Sequence, residues 1–378
     1  MRILFASWPG HGHLLPMLPL VRAAERAGHE VLVTSGPDLA DLTRGLGLDF
    51  RASGMTMAEV YAQVPDVGPI DALPEEEKVR FAARHVFGPG AVSRALDLLA
   101  IVPAWQPDVV VHDTLELGGP VAAEAFGVPH VTHGYGPMLP ENAALVTAVG
   151  TFVEEADVPD PALDAFAAPY LDICPPGLGG VTPEPWKDVV TLRPSAGEAA
   201  RDDDLRQALD ALPHDHTVYV TLGTVMNHAP HVFRAVLEGC STMPVNVVVT
   251  TGPGSNPTAV EAAGPAVLAR SWLPQTEVLP HCRTVVSHAG AGTMLGALCH
   301  GLPQLCLPQG TDQPLNAASL APTGAALVLA PEQVTAEAVE DAVRRLLDDP
   351  SYAAAAASLR DRIEEMPTAD EVLADLIG

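Results

Sequence analysis

Lysine is almost absent from this chain, with only Lys78 and Lys187 among 378 residues. Lysine and arginine together number 20 against 47 aspartates and glutamates, which gives a formal net charge of −27 at pH 7. A chain this acidic repels phosphate backbones and anionic lipid surfaces, so we expect neither nucleic acid nor a membrane as a partner. An anionic ligand would have to be held by local dipoles and hydrogen bonds.

Cysteine is scarce, and its spacing shows no pairing. The five cysteines form no CxxC pair, and their odd number leaves at least one without a partner. Reduced thiols in a cytoplasmic protein are the simplest interpretation. Long apolar runs are lacking as well, since none approaches the ~20 residues that span a bilayer. The N-terminal run is interrupted at Trp8-Pro9-Gly10, which predicts a buried first strand and not a signal peptide.

The chain does contain two series of alternating strand and helix patterns. With 48% hydrophobic and 18% charged residues it can form buried cores, and its length leaves room for about two domains. The first series has strands at 3–7, 29–34, 107–113 and 129–133. The second series has strands at 218–223, 245–250, 266–270, 285–288, 305–308 and 326–329. Alternation of this kind indicates parallel sheets with crossover helices.

A proline-rich stretch at 159–213 separates the two series. We therefore predict an α/β protein of two doubly wound, Rossmann-like domains that face each other across a cleft. In such sheets ligands bind beyond the carboxyl ends of the strands. The predicted boundaries are an N-terminal domain at 1–200, a C-terminal domain at 214–355 and a terminal helical segment at 356–378 that packs back toward the N-terminal domain.

The stretch from Trp272 to Gln313 carries the strongest functional pattern. Trp272, which can stack on a base, is followed by a strand that runs into the turn Ala289–Thr293. Glycines in this turn let a pyrophosphate approach the backbone, and the N–H groups at the start of the next helix favour anions. The Thr293 hydroxyl can add a hydrogen bond, and Asp312 and Gln313 offer an acceptor and a donor for sugar hydroxyls. In this order the residues suit a nucleotide-sugar.

The same residues also allow a dinucleotide-binding interpretation. Gly290-x-Gly292-x-x-x-Gly296 follows a strand, with Asp312 about 20 residues on, as in the fingerprint of a dehydrogenase. The spacing is GxGxxxG where that fingerprint has GxGxxG, and the acid follows a loop instead of ending a strand. A dehydrogenase would also leave Trp272 without a role.

A candidate catalytic pair comes from the first series. His13 lies in the turn after the first strand, and Asp113 ends the strand at 107–113. Parallel strands of one sheet end at the same edge, so the two side chains can meet there. An imidazole, with an ordinary pKa of ~6.5, suits a general base, and a carboxylate on its second nitrogen fixes the tautomer. A metal hydrolase is the alternative, because His11, His13 and Asp113 could bind a metal if other strand ends supplied further ligands.

These motifs together resemble those of the UDP-glycosyltransferase-like superfamily. The pattern is WxPQ at 272–275, HxGxGT at 288–293, GxPQxxxPxxxDQ at 301–313 and PGHGHxxPxxPL at 9–20. It is most similar to the bacterial branch that glycosylates natural products such as macrolides, polyketides and enediynes, and it covers essentially the whole chain. The resemblance implies a GT-B fold with acceptor binding in the N-terminal domain and donor binding in the C-terminal domain. It also implies inverting transfer without a metal or other cofactor.

The resemblance assigns roles to individual residues. It implies His13 as the catalytic base and Asp113 as its orienting partner. The residues that it implies at the donor are Thr224, Trp272, Leu273, Gln275, His288, Gly290, Ala291, Gly292, Thr293, Asp312 and Gln313. Plant members carry at the position of Gly296 a Glu that resembles a clamp on both ribose hydroxyls. Without this Glu, the site can accept a 2′-deoxyribose, which favours a dTDP-activated donor. We expect the transferred sugar to be a deoxy-sugar.

The acceptor side has no comparable motif. Candidates for an apolar acceptor pocket are Met55, Tyr61, Phe81, Phe87, Tyr135 and Met138, each of which could equally belong to the core. We predict sugar transfer to a hydroxyl of a hydrophobic natural product, with this aglycone and the nucleotide-sugar as partners. A homodimer is compatible with the pattern. Two alternatives stay open, a non-catalytic helper protein of the same fold and a nucleotide-sugar epimerase.

Overall fold

A computed structural model gives the structure of the chain and divides it into two compact units. Unit 1 comprises Met1–Ile173, Val181–Leu192 and Pro367–Gly378, and unit 2 comprises Cys174–Gly180 and Arg193–Met366. The residues that the structure describes are 1–65, 73–138, 140–156, 158, 166–178, 186–197, 202–223, 230–252, 257, 260, 264 and 266–377. All five cysteines are free thiols.

Unit 1 is built on a parallel sheet. Its strands are β1 (Arg2–Ala6), β2 (Glu30–Ser35), β3 (Phe50–Ala52), β4 (Val109–Asp113), β5 (His130–His133), β6 (Tyr170–Asp172) and β7 (Val189–Thr191). They lie side by side in the order β3-β2-β1-β4-β5-β6-β7. In register, Ile3 pairs with Val31 on one side and with Val109 on the other. The strand order reverses between β1 and β4, where doubly wound sheets bind ligands.

Unit 2 repeats this architecture with a second parallel sheet. Its strands are β8 (His216–Thr221), β9 (Val245–Thr250), β10 (Val267–Arg270), β11 (Thr284–Ser287), β12 (Gln304–Cys306) and β13 (Ala326–Val328). Their order is β10-β9-β8-β11-β12-β13, so the reversal falls between β8 and β11. Every strand pattern predicted from the sequence is present, and the prediction of two Rossmann-like α/β domains is confirmed. Strands β3, β6 and β7 were not predicted, and two of them, β6 and β7, lie in the proline-rich stretch at 159–213 that was interpreted as a separator of the two series.

Helices connect the strands in both units. Those of unit 1 are α1 (His11–Leu14), α2 (Leu18–Arg26), α3 (Ala40–Gly45), α4 (Met57–Tyr61), α5 (Glu75–Ala82), α6 (Gly88–Trp105), α7 (Gly118–Ala125) and α8 (Pro140–Glu155). Those of unit 2 are α9 (Asp203–Asp210), α10 (Pro230–Ser241), α11 (Gln275–Val278), α12 (Ala291–Cys299), α13 (Gln313–Leu320), α14 (Ala336–Asp348) and α15 (Pro350–Glu365). A last helix, α16 (Ala369–Ile377), belongs to unit 1.

The longest helical stretch of the described residues lies in unit 1. A π-helical turn at Ala83–Phe87 joins α5 to α6, and the resulting Glu76–Trp105 is long and apolar enough to cross a membrane by length and composition alone. Arg94 and Asp97 interrupt it, so the sequence shows no continuous apolar run. In unit 1 this helix packs against α7 and α8, and Arg94 is fully buried there.

The C-terminal segment divides between the units. Helix α15 stays with unit 2, and the chain then turns at Met366, which is extended because the next residue is Pro367. Helix α16 packs on α2, where Arg26 donates two hydrogen bonds to the Asp370 carboxylate, at 2.9 and 2.8 Å. The segment 356–378 therefore consists of the end of one helix and a second, separate one.

Candidate active site

The first strand of unit 1 leads directly to a histidine at the edge of the sheet. Beyond β1, a short turn opens α1, which carries His11 and His13, and the neighbouring strand β4 ends at Asp113. The Nδ1 atom of His13 lies 3.1 Å from Oδ1 of Asp113. The structure thus brings together two side chains that are 100 positions apart in the sequence. We call His13 and Asp113 the dyad.

Both oxygens of the Asp113 carboxylate are held in place. The backbone N–H of Leu115 donates to Oδ1 at 2.9 Å, and the backbone N–H of Trp8 donates to Oδ2. Burial opposes ionisation of this carboxyl, but His13 and these N–H donors lower its pKa below the ordinary value. An ionised Asp113 that accepts from His13 Nδ1–H leaves the lone pair of the imidazole on Nε2, as a general base requires.

Three other histidines near the dyad are unsuited to the same role. His112 faces the opposite side of β4 and is fully buried, and burial together with His130 lowers its pKa to about 3. Burial lowers the pKa of His133 to about 4 and also lowers that of His11. Among the residues that the structure describes, no three His, Cys, Asp or Glu side chains are grouped so that they could hold a metal ion.

Two of the predicted acceptor residues lie next to this region. The ring of Tyr135 is 4.5 Å from that of His13, and the ring of Phe87 is 4.6 Å from that of Trp8, between centroids. Both are partly buried. They therefore offer aromatic surface close to the dyad, and their role as acceptor contacts stays a prediction.

The other four acceptor candidates are dispersed. Met138 is buried in the core of unit 1, and Tyr61 is exposed. Met55 accepts a hydrogen bond from Gln63. Phe81 packs against His85 and lines an open pocket of about 500 Å³ with Leu73, Glu77, Arg80 and Arg84. Met138 is thus a core residue in this structure, because it packs among other buried apolar side chains.

In unit 2 Trp272, the aromatic residue that the sequence predicts at the base of the donor, follows the end of β10. The Trp272 side chain is 63% exposed, so it is not a buried loop tryptophan and its face is open to a ligand. Leu273, next to it, is buried in the core. Gln275 begins α11, and its Nε2 donates to Thr293 Oγ1 at 3.0 Å, which joins the tryptophan loop to the next motif.

The turn His288–Thr293, which we call the phosphate turn, leads from β11 into α12. Ala289 has a φ of 64°, a left-handed conformation, and its N–H donates to Ser287 Oγ at 3.1 Å. Gly290 is the N-cap and provides no side-chain cap, so the first N–H groups of α12 are left for another acceptor. Gly292 is exposed. The turn therefore has the geometry of an anion-binding helix start.

His288 is enclosed by glycines. A Cβ atom at either Gly223 or Gly290 would overlap with its ring, so only glycine fits at both positions. Its Nδ1 has no hydrogen-bond partner among the residues that the structure describes. Burial is the main reason why the pKa of His288 is lowered, and Asp312 partly offsets this. The lowered pKa favours the neutral imidazole near pH 7, and the hydrogen bond of His288 to the backbone of Thr221 acts in the opposite direction.

Asp312 and Gln313 lie at the start of α13 in a network of polar side chains. Asp312 accepts from Thr311 Oγ1 at 3.0 Å and from Asn316 Nδ2 at 2.8 Å. Gln313 accepts from the backbone N–H of Gln309 at 2.8 Å. The donor residues that the sequence predicts thus gather at the carboxyl ends of β10, β11 and β12. Thr224 lies outside the described residues.

Comparison with known proteins agrees with this geometry. Residues 22–164 match the N-terminal domain, and residues 234–378 the C-terminal domain, of the family described as Erythromycin biosynthesis protein CIII-like. The L-demethylnoviosyl transferase of Streptomyces niveus is 31% identical over 97% of this chain and 95% of its own length. The chain belongs to the bacterial natural-product glycosyltransferases.

Solved structures show the same architecture over the whole chain. The glycosyltransferase SsfS6 of Streptomyces sp. SF2575, solved with thymidine diphosphate, has a TM-score of 0.78 at 25% identity and covers 100% of this chain and 99% of its own. The glycosyltransferase VinC, solved with dTDP, has a TM-score of 0.78 at 26% identity and covers 100% and 98%. The fold of this glycosyltransferase is therefore GT-B, as the resemblance implied.

Sequence reasoning missed several polar residues of this glycosyltransferase. Asn316 donates to Asp312 and, at 3.0 Å, to the carbonyl of Ala289, so it ties α13 to the phosphate turn. Asn316 follows Asp312 by four residues at the start of a predicted helix, and this spacing could have predicted their contact. Arg94 and Glu116, which form an ion pair in the interior of unit 1, gave no signal at all.

Proposed function

We propose that this glycosyltransferase transfers a sugar from a dTDP-activated donor to a hydroxyl of a hydrophobic natural product, with inversion at the anomeric carbon. The contact of His13 with a buried, ionised Asp113 carries the proposal, because this pair can take a proton from a hydroxyl near neutral pH. The predicted division, with acceptor binding in unit 1 and donor binding in unit 2, is part of the same proposal.

The reaction follows from the two groups of residues. The acceptor hydroxyl gives its proton to Nε2 of His13, and Asp113 stabilises the imidazolium that forms. The hydroxyl oxygen attacks the anomeric carbon from the side opposite the diphosphate. As this bond forms, the bond from that carbon to the diphosphate oxygen breaks, dTDP leaves with the electron pair, and the configuration inverts.

Uncharged donors stabilise the leaving diphosphate in this proposal. The phosphate turn contains no lysine or arginine. Its predicted diphosphate-binding groups are the N–H groups at the start of α12, the Thr293 hydroxyl and His288. Fixed dipoles of this kind act without reorganisation during the reaction, so the mechanism needs no metal ion. Asp312 and Gln313 are assigned to the sugar hydroxyls, and Trp272 to the base.

The preference for dTDP rests on two observations. Two similar glycosyltransferases were solved with thymidine diphosphate. In this chain the position of Gly296 lies under Gln275, whose Oε1 would be 3.3 Å from an added Cβ, and Leu279 would be 3.6 Å away. Glycine supplies no carboxylate at this position that could bind a ribose hydroxyl. A Gly296→Glu substitution would also crowd Gln275 and is therefore not a clean test of nucleotide choice.

The proposal is tested by incubating the purified protein with a panel of dTDP-sugars and hydrophobic aglycones and analysing the products by mass spectrometry. A product one sugar heavier than the aglycone supports transfer. Conversion of the donor to an isomer without an acceptor would favour the epimerase, and nucleotide binding without turnover would favour the helper protein. Calorimetric titration with dTDP and UDP tests the nucleotide, and equal affinities would contradict the dTDP assignment.

A further inference from the structure

Arg94 and Glu116 form an ion pair that is completely buried in unit 1. Arg94 Nε donates to Glu116 Oε1 at 3.0 Å, and both side chains are shielded from solvent. Burial lowers the pKa of Arg94 and raises that of Glu116 in spite of their mutual attraction. A buried pair of this kind is often no more stable than apolar side chains of the same volume. Stability alone therefore does not explain its presence.

Arg94 contacts the residue that holds one oxygen of Asp113. Its guanidinium carbon lies 4.2 Å from the ring centroid of Trp8, in a cation–π contact. Gly90 closes this stack, since an added Cβ would lie 2.7 Å from Trp8 and 3.3 Å from Arg94 Nη2. The backbone N–H of the same Trp8 donates to Asp113 Oδ2. Arg94 therefore packs on the ring of the residue whose backbone N–H holds Asp113 Oδ2.

Glu116 fixes the turn that holds the other oxygen. It accepts from the N–H groups of Gly118 at 3.1 Å and Gly119 at 2.7 Å, at the start of α7. Its own N–H donates to the carbonyl of Asp113 at 3.0 Å. Leu115, which donates to Asp113 Oδ1, lies within this turn. The ion pair thus connects both segments that determine where the Asp113 carboxylate points.

We propose that Arg94 and Glu116 are positioning residues for the dyad, with Arg94 joining Trp8 to the turn after β4. This inference rests on the proposed function, in which the dyad deprotonates the acceptor. The guanidinium and the carboxylate do not contact substrate. They keep Asp113 in line with His13 Nδ1, so that the lone pair of the imidazole stays on Nε2. Their replacement should impair the chemical step and leave substrate binding intact.

The main test is the double variant Arg94→Met/Glu116→Gln, which removes both charges and so leaves no unpaired charge in the interior. We expect it to fold, with a Tm within about 4 °C of the wild type. Its kcat should fall about 10²-fold, while the KM values for donor and acceptor change less than about threefold. Arg94→Lys keeps the positive charge but loses the planar stack on Trp8. Its kcat should therefore also lie well below that of the wild type.

A spectroscopic measurement tests the inference without substrates. In protein labelled with 15N at histidine, the ring nitrogens of His13 in the wild type should report one tautomer, with the hydrogen on Nδ1. In the double variant the two nitrogens should average toward a mixture, because the carboxylate is no longer held against Nδ1. The matched control is Arg44→Met/Asp41→Asn, an exposed pair on α3, which should leave both spectra and kinetics unchanged.

Each outcome decides the inference. Wild-type kcat and a single His13 tautomer in the double variant would overturn it, as would full rescue by lysine at position 94. An equal loss of Tm, dTDP affinity and kcat would show a structural role only, and would also overturn it. If the wild type transfers no sugar, the proposed function fails, while the tautomer measurement still tests the positioning of the dyad.

Discussion

The dyad of unit 1 lies among buried charges, whereas the phosphate turn of unit 2 is built from uncharged groups. Asp113, Arg94 and Glu116 are all shielded from solvent, and Asp113 contacts His13 directly. His288 is surrounded by glycines, by backbone N–H groups and by amide and hydroxyl side chains. The phosphate turn itself has no charged side chain, and Asp312 is the charged residue of the adjoining Asp312-Gln313 motif.

In the proposed mechanism, the difference follows from the charge that each region has to stabilise. A general base acquires a positive charge during the reaction, and a fixed carboxylate stabilises that charge. A diphosphate is negatively charged both when it binds and when it leaves. Preorganised dipoles can bind this charge and still allow the product to dissociate. In a chain with a net charge of −27, dipoles also give local attraction where the overall field is repulsive.

The largest effect that we expect comes from removing the base. His13→Ala should lower kcat by about 10³-fold, within the range for loss of general-base catalysis, because the acceptor hydroxyl then lacks the imidazole that takes its proton. Binding of dTDP, measured by calorimetry, should stay as in the wild type, since the donor residues belong to unit 2. Transfer at the wild-type rate would refute the assignment of the base.

Asp113→Asn should have the second largest effect. An amide has one oxygen and one NH2 group, so it cannot accept from Trp8 on one side and from His13 and Leu115 on the other. We expect kcat to fall about 10²-fold, at the lower end of the range for general acid–base catalysis, because the imidazole remains but its tautomer is no longer fixed. A loss larger than that of His13→Ala would mean that Asp113 has a role beyond orienting the histidine.

The buried histidines should make the stability of unit 1 depend on pH. His112 and His133, with pKa values of about 3 and about 4, stay neutral in the folded protein, whereas in the unfolded chain they take up protons below pH 6.5. Their contribution to stability is therefore complete above pH 6.5 and is lost as the pH falls toward 4. Between pH 7.5 and 5 the loss should be about 1–2 kcal/mol for each histidine.

Urea unfolding across this pH range measures the effect. His133→Gln keeps a donor for the Gly134 carbonyl that His133 Nδ1 contacts, but it does not titrate, so the slope of unfolding free energy against pH should become shallower. An unchanged slope would show that His133 is not a source of the pH dependence.

The smallest effects come from adding single methyl groups to the phosphate turn. Gly290→Ala should lower Tm and weaken dTDP binding about tenfold, because the new Cβ overlaps with His288. At Gly292 a Cβ meets no atom within 4 Å. Gly292→Ala should therefore keep the wild-type Tm but still weaken dTDP binding, because its methyl group enters the space through which the diphosphate approaches. Wild-type affinity in Gly292→Ala would argue against a diphosphate at this turn.

Much of the fold and of the candidate site could be predicted from local patterns. Apolar runs that alternate with helical patterns predicted ten of the thirteen strands among the described residues, and His13, Asp113 and the phosphate turn follow or end such strands. The acceptor side could not be predicted, because aromatic residues of core and pocket look alike in a sequence. Tyr135 contacts His13 while Met138, three residues on, is core, and only packing separates the two.

The sequence by itself therefore predicted the class of fold, the two residues of the dyad and the order of the donor motifs, because each strand and each turn motif is a pattern of a few consecutive residues. The tertiary structure decided which groups donate hydrogen bonds to the Asp113 carboxylate and why its pKa is lowered. The backbone N–H of Trp8, 105 positions away in the sequence, donates to its carboxylate. The Trp8 ring in turn contacts Arg94, which forms an ion pair with Glu116, 22 positions further along the chain. Contacts over such separations depend on strand order and side-chain packing, which no local pattern records.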